Sequence, residues 1–191
     1  MRVGVLALQG DFREHASMLE SIGVTPILVR TSDDLEELDG LVIPGGESTT
    51  IGKLADRFDL VEPLRGAIGD GLPTLGTCAG MVLLAGSTTE RQSQVQLGVL
   101  DVVVQRNAFG RQVESFEAEV AVDGLDGGPV HAVFIRAPWI EKVGDGVDVL
   151  AELSGHPVMV RDGNVFATSF HPELTGDGRI HRLVFQTGRE A

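Results

Sequence analysis

The chain has 191 residues, 42% hydrophobic and 23% charged, which fits one globular unit spanning residues 1–191 with a sizeable core. A formal charge of −13 argues against nucleic acid as a partner, because phosphate-backbone affinity comes from lysine and arginine displacing counterions. One cysteine cannot form an internal disulfide, and the apolar stretch at 3–8 is too short for a signal-peptide core or a membrane span, so a cytoplasmic location is expected.

Residues 3–8 form a continuous apolar run, expected as a buried strand. Gln9-Gly10-Asp11 follows, then Phe12, His15, Ala16, Leu19 and Ile22 at helical spacing, closed by Gly23. Residues 26–29 and 41–43 are further strands, the second running into Pro44-Gly45-Gly46-Glu47-Ser48. Residues 54–58 and 60–68 read as helical, 73–75 as a strand entering Gly76-Thr77-Cys78-Ala79-Gly80, and 81–85 as the helix leaving it. Strands alternating with helices imply a parallel sheet covered on both faces. From residue 97 strand patterns dominate, at 99–104, 117–122, 130–135, 147–153, 158–161 and 165–170, and 180–185 predicts a closing helix. The expected fold class is α/β: a three-layer, doubly wound, mostly parallel central sheet with additional antiparallel strands. The lone Trp139 is expected in the core, with an interface anchor as the alternative.

The candidate nucleophile is Cys78. Flanking glycines permit the sharp strand-to-helix turn of a nucleophile elbow, and a helix N-terminus favours thiolate over thiol. Near the C-terminus, His171-Pro172-Glu173 follows a predicted strand. If Pro172 keeps that segment extended, His171 and Glu173 share one side and supply a base with its orienter. Tandem glycines at 45 and 46 let backbone N–H groups approach a ligand, so the N–H groups of Gly46 and Ala79 are candidates for an oxyanion hole. All three segments fall at carboxyl ends of predicted strands, where open α/β sheets bind ligands.

Other signals carry less. Residues 46–53 superficially resemble a phosphate loop, but five residues rather than four separate Gly46 from Gly52, and Leu54 stands in place of Ser or Thr. The histidines at 15, 131, 156, 171 and 181 form no short ligand pair, so no metal site is expected, and nothing calls for a cofactor.

Taken together, Gly76-Thr77-Cys78-Ala79-Gly80, His171-Pro172-Glu173 and Pro44-Gly45-Gly46-Glu47-Ser48 resemble the class I glutamine amidotransferases. Residues 4–10, 106–112 and 134–138 narrow the likeness to the glutaminase subunits of pyridoxal 5′-phosphate synthase, with matching segments from residue 3 to about 185. The resemblance implies that Cys78 attacks the side-chain amide of L-glutamine, that His171 shuttles protons and that Glu173 holds the imidazole. It implies that Gly46, Glu47, Ser48, Arg106, Ile135 and Arg136 bind glutamine, and that Gln9 lies near the oxyanion region at a subunit contact. The implied partner is a separate barrel-shaped synthase subunit that consumes the ammonia. Ala108 departs from the serine common in the family's arginine segment. Another amidotransferase subunit, serving imidazole glycerol phosphate or cobyric acid synthesis, and a non-catalytic elbow-cysteine sensor or chaperone remain as alternatives.

Overall fold

The structure is a computed structural model, and it describes residues 1–90, 94–106, 108 and 115–186. The first half contains β1 (Arg2–Leu6), α1 (Phe12–Ser21), β2 (Thr25–Val29), β3 (Gly40–Ile43), α2 (Ser48–Arg57), α3 (Val61–Gly69), β4 (Thr74–Thr77), α4 (Ala79–Leu84) and β5 (Ala85–Thr88). The second contains β6 (Leu100–Gln105), β7 (Ser115–Val120), β8 (Val130–Ile135), β9 (Trp139–Val143), β10 (Asp148–Leu153), β11 (His156–Asp162), β12 (Val165–Thr168) and α5 (Arg179–Phe185).

Seven strands form the central sheet in the order β10-β11-β12-β4-β3-β1-β2. The five from β12 to β2 are parallel, and β10 and β11 extend one edge antiparallel. Side-chain alternation along each strand feeds two cores, one per face. In β3, for example, Leu41 and Ile43 join one apolar cluster while Val42 joins the other.

The first face is covered by α2, α3 and α4 and by a small sheet, β5-β6-β9, which contribute Ile51, Leu64, Met81, Leu83, Val104 and Ile140. The second is covered by α1, α5 and the β7-β8 hairpin through Leu19, Val184, Phe185 and Phe134. Each such side chain contributes roughly 1.5–3 kcal/mol when fully buried. Helix and hairpin cover on both faces is why β3 and residues 3–8 around β1 read as near-continuous apolar runs instead of alternating ones, while β4 buries Thr74 and Thr77 beside Leu75.

Several elements differ from their sequence expectation. Helix α2 starts at Ser48, not at 54, because Glu47 caps it: its carboxylate accepts from the N–H groups of Thr49 at 3.0 Å and Thr50 at 2.7 Å. Strands β5 and β9 had no expectation, since Ala85-Gly86-Ser87-Thr88 shows no apolar alternation and β9 is short. Ser32–Leu35 adds a 3₁₀ turn. Trp139 is half-buried on β9 instead of lying in the core, with its ring stacked on His156 at 3.7 Å and its N–H donating to Glu141 at 3.2 Å.

Candidate active site

Strand β4 ends at Thr77, and the backbone turns at Cys78, whose φ of 48° and ψ of −103° place it at the N-cap of α4. A non-glycine residue in such a conformation costs about 1–3 kcal/mol and persists only where its surroundings impose it. Two contacts impose it. The Cys78 N–H donates to Thr168 O at 2.7 Å, extending the β4-β12 pairing by one residue. Gly80 lets α4 lie against β3, since a Cβ there would stand 2.0 Å from Ile43 O. Cys78 is buried, with 7% exposure, and its sulfur lies 3.9 Å from Ile135 O.

Beyond the end of β12, the His171 N–H donates to Val133 O at 2.9 Å, tying the segment to β8. His171 Nδ1 lies 2.7 Å from Glu173 Oε1, and both side chains are buried. The expected extended backbone is not what joins them. Pro172–Leu174 is a 3₁₀ turn, with proline in its first turn, and this turn swings the carboxylate back under the ring. Gly45 makes room for the imidazole, because a Cβ there would meet His171 Cε1 at 2.4 Å. Asp11 brings a second carboxylate, Oδ2, to 3.4 Å from His171 Nδ1.

Burial alone would lower the His171 pKa, but hydrogen bonding with Cys78 and Glu173 outweighs it and raises the value to about 10. Burial raises Glu173, against the pull of the His171 imidazolium. The imidazole is thus the group that holds the proton. Possible ligand atoms of Asp11, His171 and Glu173 lie within 4.8 Å of one another, but Nδ1 of the ring is engaged with Glu173, so this group is arranged for acid-base work.

In front of this pair is a cleft of about 470 Å³, lined by Gln9, Asp11, Gly46, Glu47, Ser48, Cys78, Ala79, Val82, Arg106, Ile135, Arg136, Pro138 and His171. Every residue expected in the site lines it except Glu173, which stands behind the ring. These residues come from the ends of β1, β3, β4, β6, β8 and β12, and the six ends meet at one cleft. A thiol, a base with its carboxylate, and two guanidinium groups facing one cleft suit nucleophilic attack on the carbonyl of a substrate that carries a carboxylate.

The chain matches the SNO glutamine amidotransferase family over residues 5–188. It belongs to that family. The pyridoxal 5′-phosphate synthase subunit PdxT of Parafrankia sp. (strain EAN1pec) is 62% identical, over 98% of this chain and 93% of the relative. The subunit of the same name from Frankia casuarinae is 59% identical over 100% of this chain and 96% of its own length. A solved glutamine amidotransferase superposes with a TM-score of 0.92 at 52% identity, covering 96% of this chain and 97% of that one. The α/β fold with its mostly parallel central sheet is therefore that of the glutamine amidotransferases.

In this family member the turn after β3 is held by Gln9, whose Oε1 accepts from the Glu47 N–H at 2.8 Å. Gly46, at φ +148°, fits that turn because a Cβ would stand 2.6 Å from the same Oε1. Arg106 pairs with Glu47 at 3.4 Å and donates to Gln94 Oε1 at 3.1 Å. Burial would raise the Glu47 pKa, but hydrogen bonds from Thr50 and Thr49 outweigh it and lower it to about 2, so the carboxylate stays charged. Arg136, at the end of β8, has a φ of 42°. Ala108 donates its N–H to Ala137 O at 3.1 Å, a backbone bond indifferent to the side chain. Asn107 and residues 109–112 of the arginine segment lie outside the described residues.

Sequence reasoning missed Asp11 and two buried histidines behind Glu173. His15 was placed on the apolar stripe of α1, and a polar ring on a stripe that faces a core was the available signal.

Proposed function

We propose that this chain hydrolyses L-glutamine to L-glutamate and ammonia, and that it passes the ammonia to a synthase subunit that makes pyridoxal 5′-phosphate. The observation that carries this is the meeting of Cys78 with the buried His171-Glu173 pair in a cleft walled by Arg106 and Arg136, within a glutamine amidotransferase family member. The names of its relatives support the pathway.

The Cys78 thiolate attacks the side-chain amide carbon, and the carbonyl electrons move onto oxygen. The N–H groups of Gly46 and Ala79 receive that oxyanion. The C–N bond then breaks, His171 gives its proton to the departing nitrogen, and ammonia leaves a glutamyl thioester on Cys78. Water attacks the thioester, His171 takes the water's proton, and Cys78 departs as glutamate forms. Glu173 holds the ring in register and stabilises its charged form. Arg106 and Arg136, with Gly46, Glu47, Ser48 and Ile135, hold glutamine. Guanidinium suits the substrate carboxylate, and the charged Glu47 suits its ammonium.

Gln9 lies beside the oxyanion turn and is assigned to the contact through which a docked synthase subunit raises glutaminase activity. The whole chain acts as one glutaminase unit in the cytoplasm. Among the described residues no helix is long and apolar enough to cross a membrane.

The deciding assay measures glutamate release from glutamine by this chain mixed with a matching synthase subunit, with Cys78→Ala in parallel. Release is expected to require both the partner and Cys78. No release from the wild-type mixture, or undiminished release by Cys78→Ala, overturns the assignment.

A further inference from the structure

Behind Glu173 lies a second layer of titratable groups for which glutamine hydrolysis as described has no use. His15 on α1 and His181 on α5 are both fully buried, 166 residues apart in the chain, with His15 Nδ1 at 3.0 Å from His181 Nε2. The other ring nitrogen of His15, Nε2, lies 3.0 Å from Thr77 Oγ1, the residue before the nucleophile. It is also 3.3 Å from Glu173 Oε2, at an angle that leaves this buried oxygen without a well-formed hydrogen bond among the described residues. His181 Nδ1 is likewise buried with no partner among them.

Hydrogen-bond accounting selects one arrangement of protons. Burial first, then the neighbouring His181 and His171 imidazoles, which oppose a second positive charge, hold His15 well below the usual histidine range, and burial lowers His181 to about 4, so both rings are neutral. Each neutral ring carries one N–H. If His15 carried it on Nδ1, it would donate to His181 Nε2, and His181 would have to bury its own N–H at Nδ1 unpaired. Glu173 Oε2 would then face a ring lone pair. If His181 carries its proton on Nε2, it donates to His15 Nδ1, and His15 Nε2–H is directed toward Thr77 Oγ1, with Glu173 Oε2 beside it at 3.3 Å. The atom left bare, His181 Nδ1, is then an acceptor, no ring N–H is unpaired, and Glu173 Oε2 no longer faces a ring lone pair.

We infer that His15 is a positioning residue: as the Nε2–H tautomer, fixed by His181, it sets the positive end of that N–H 3.3 Å from the distal oxygen of Glu173 and holds that carboxylate charged and aimed at His171. This role rests on the glutaminase reading above. The groups that face the His15 ring are Glu173 from the 3₁₀ turn, His181 from α5, and Thr77 at the end of β4. His171 and Asp11 lie beyond Glu173 and act on it through charge. Without the His15 donor the buried carboxylate is less stable as an anion, so it supports the His171 imidazolium less well.

The test uses the full chain with its matching synthase subunit, and the chain alone for NMR. His15→Leu is expected to lower kcat for glutamate release about tenfold with KM within about twofold, the size of losing one polar contact to a buried charge. His15→Gln, whose side-chain amide can place an N–H near the Nε2 position, is expected to recover most of it. In the chain alone, the NMR titration midpoint of His171 is expected to fall by about one pH unit in His15→Leu and to return toward wild type in His15→Gln. Imidazole ¹⁵N shifts of the wild-type chain are expected to show His15 protonated at Nε2 and bare at Nδ1.

A folded His15→Leu with unchanged kcat and unchanged His171 midpoint overturns the role. So does a wild-type His15 protonated at Nδ1 or at both nitrogens, a result that needs no variant to fold. Should the wild-type complex release no glutamate, the glutaminase reading fails on its own, while the tautomer and the His171 titration still judge the His15–Glu173 contact.

Discussion

Cys78 pays for its position in backbone strain. Its φ of 48° and ψ of −103° lie where only glycine is at ease, and the N–H to Thr168 O together with the close packing of α4 on β3 hold it there. Replacing the nucleophile therefore has two distinct outcomes. Cys78→Ala and Cys78→Gly both remove the sulfur and both end turnover, but only glycine relieves the strain. Glycine also raises the entropy of the unfolded chain, which takes back about 0.5–1 kcal/mol. Cys78→Gly is accordingly expected to be about 1 kcal/mol more stable than Cys78→Ala, read as a difference in urea midpoints. A Cys78→Gly chain about 0.5–1 kcal/mol less stable than Cys78→Ala, the entropy cost alone, would mean that the elbow is unstrained. At this scale the sequence was most legible where chemistry sits on one short segment: the glycine-flanked cysteine, His171-Pro172-Glu173 and the tandem glycines each announced themselves. Asp11 and His15 did not, because what defines them is a neighbour far along the chain, at 3.4 Å from His171 for Asp11 and 3.3 Å from Glu173 for His15.

Among elements, α4 is the one whose seat controls the site. It is only six residues long, all buried, and too short to be stable by propensity, so its place depends on packing against β3 and β4. Gly80 makes that approach possible, since its hydrogen occupies the space that a Cβ would contest with Ile43 O at 2.0 Å and Ile43 C at 2.8 Å. Backbone cannot rotate away as a flexible side chain can. Gly80→Ala is expected to cost about 1–3 kcal/mol, in the range of overpacked cores, and to lower the thermal midpoint by several degrees while displacing Cys78. Calorimetry of Gly80→Ala against wild type checks this, and an unchanged midpoint would show that α4 shifts freely. The same packing logic explains what was legible here. The buried parallel strands and their helices stood out as apolar runs and helical periods, whereas β5 and β9 belong to a small outer sheet without alternation, and their strand character comes from pairing with β6. The turn at Pro172–Leu174 was misread as extended because proline fixes its own φ but leaves open whether the chain continues straight or curls.

For the molecule as a whole, the buried imidazoles set how stability responds to pH. His181 is held at about 4 in the folded chain by burial, against 6.5 when unfolded. Between those values the unfolded chain binds a proton that the folded chain refuses, so stability falls as pH drops from 6.5 toward 4. That difference corresponds to roughly 3 kcal/mol by the time pH 4 is reached. His15 is lowered by burial in the same way and adds to the same limb. His171 acts in the opposite sense. Its pKa is raised to about 10, so its contribution is complete below 6.5 and is lost as pH rises through 10. Glu47, lowered to about 2, adds stability above 4.5 that disappears only as pH falls below that value. Stability is therefore expected to peak near neutral pH and to fall on both sides, the acid side being governed first by the two histidines behind the site. His181→Gln removes one of those titrations. It is expected to flatten the acid limb between pH 6.5 and 4 by about one proton, measured as the pH dependence of unfolding free energy from urea melts, and to leave the alkaline limb in place. An unchanged acid slope would mean that His181 is charged inside the folded chain, and the neutral pair that orients the Glu173 carboxylate would then have no basis.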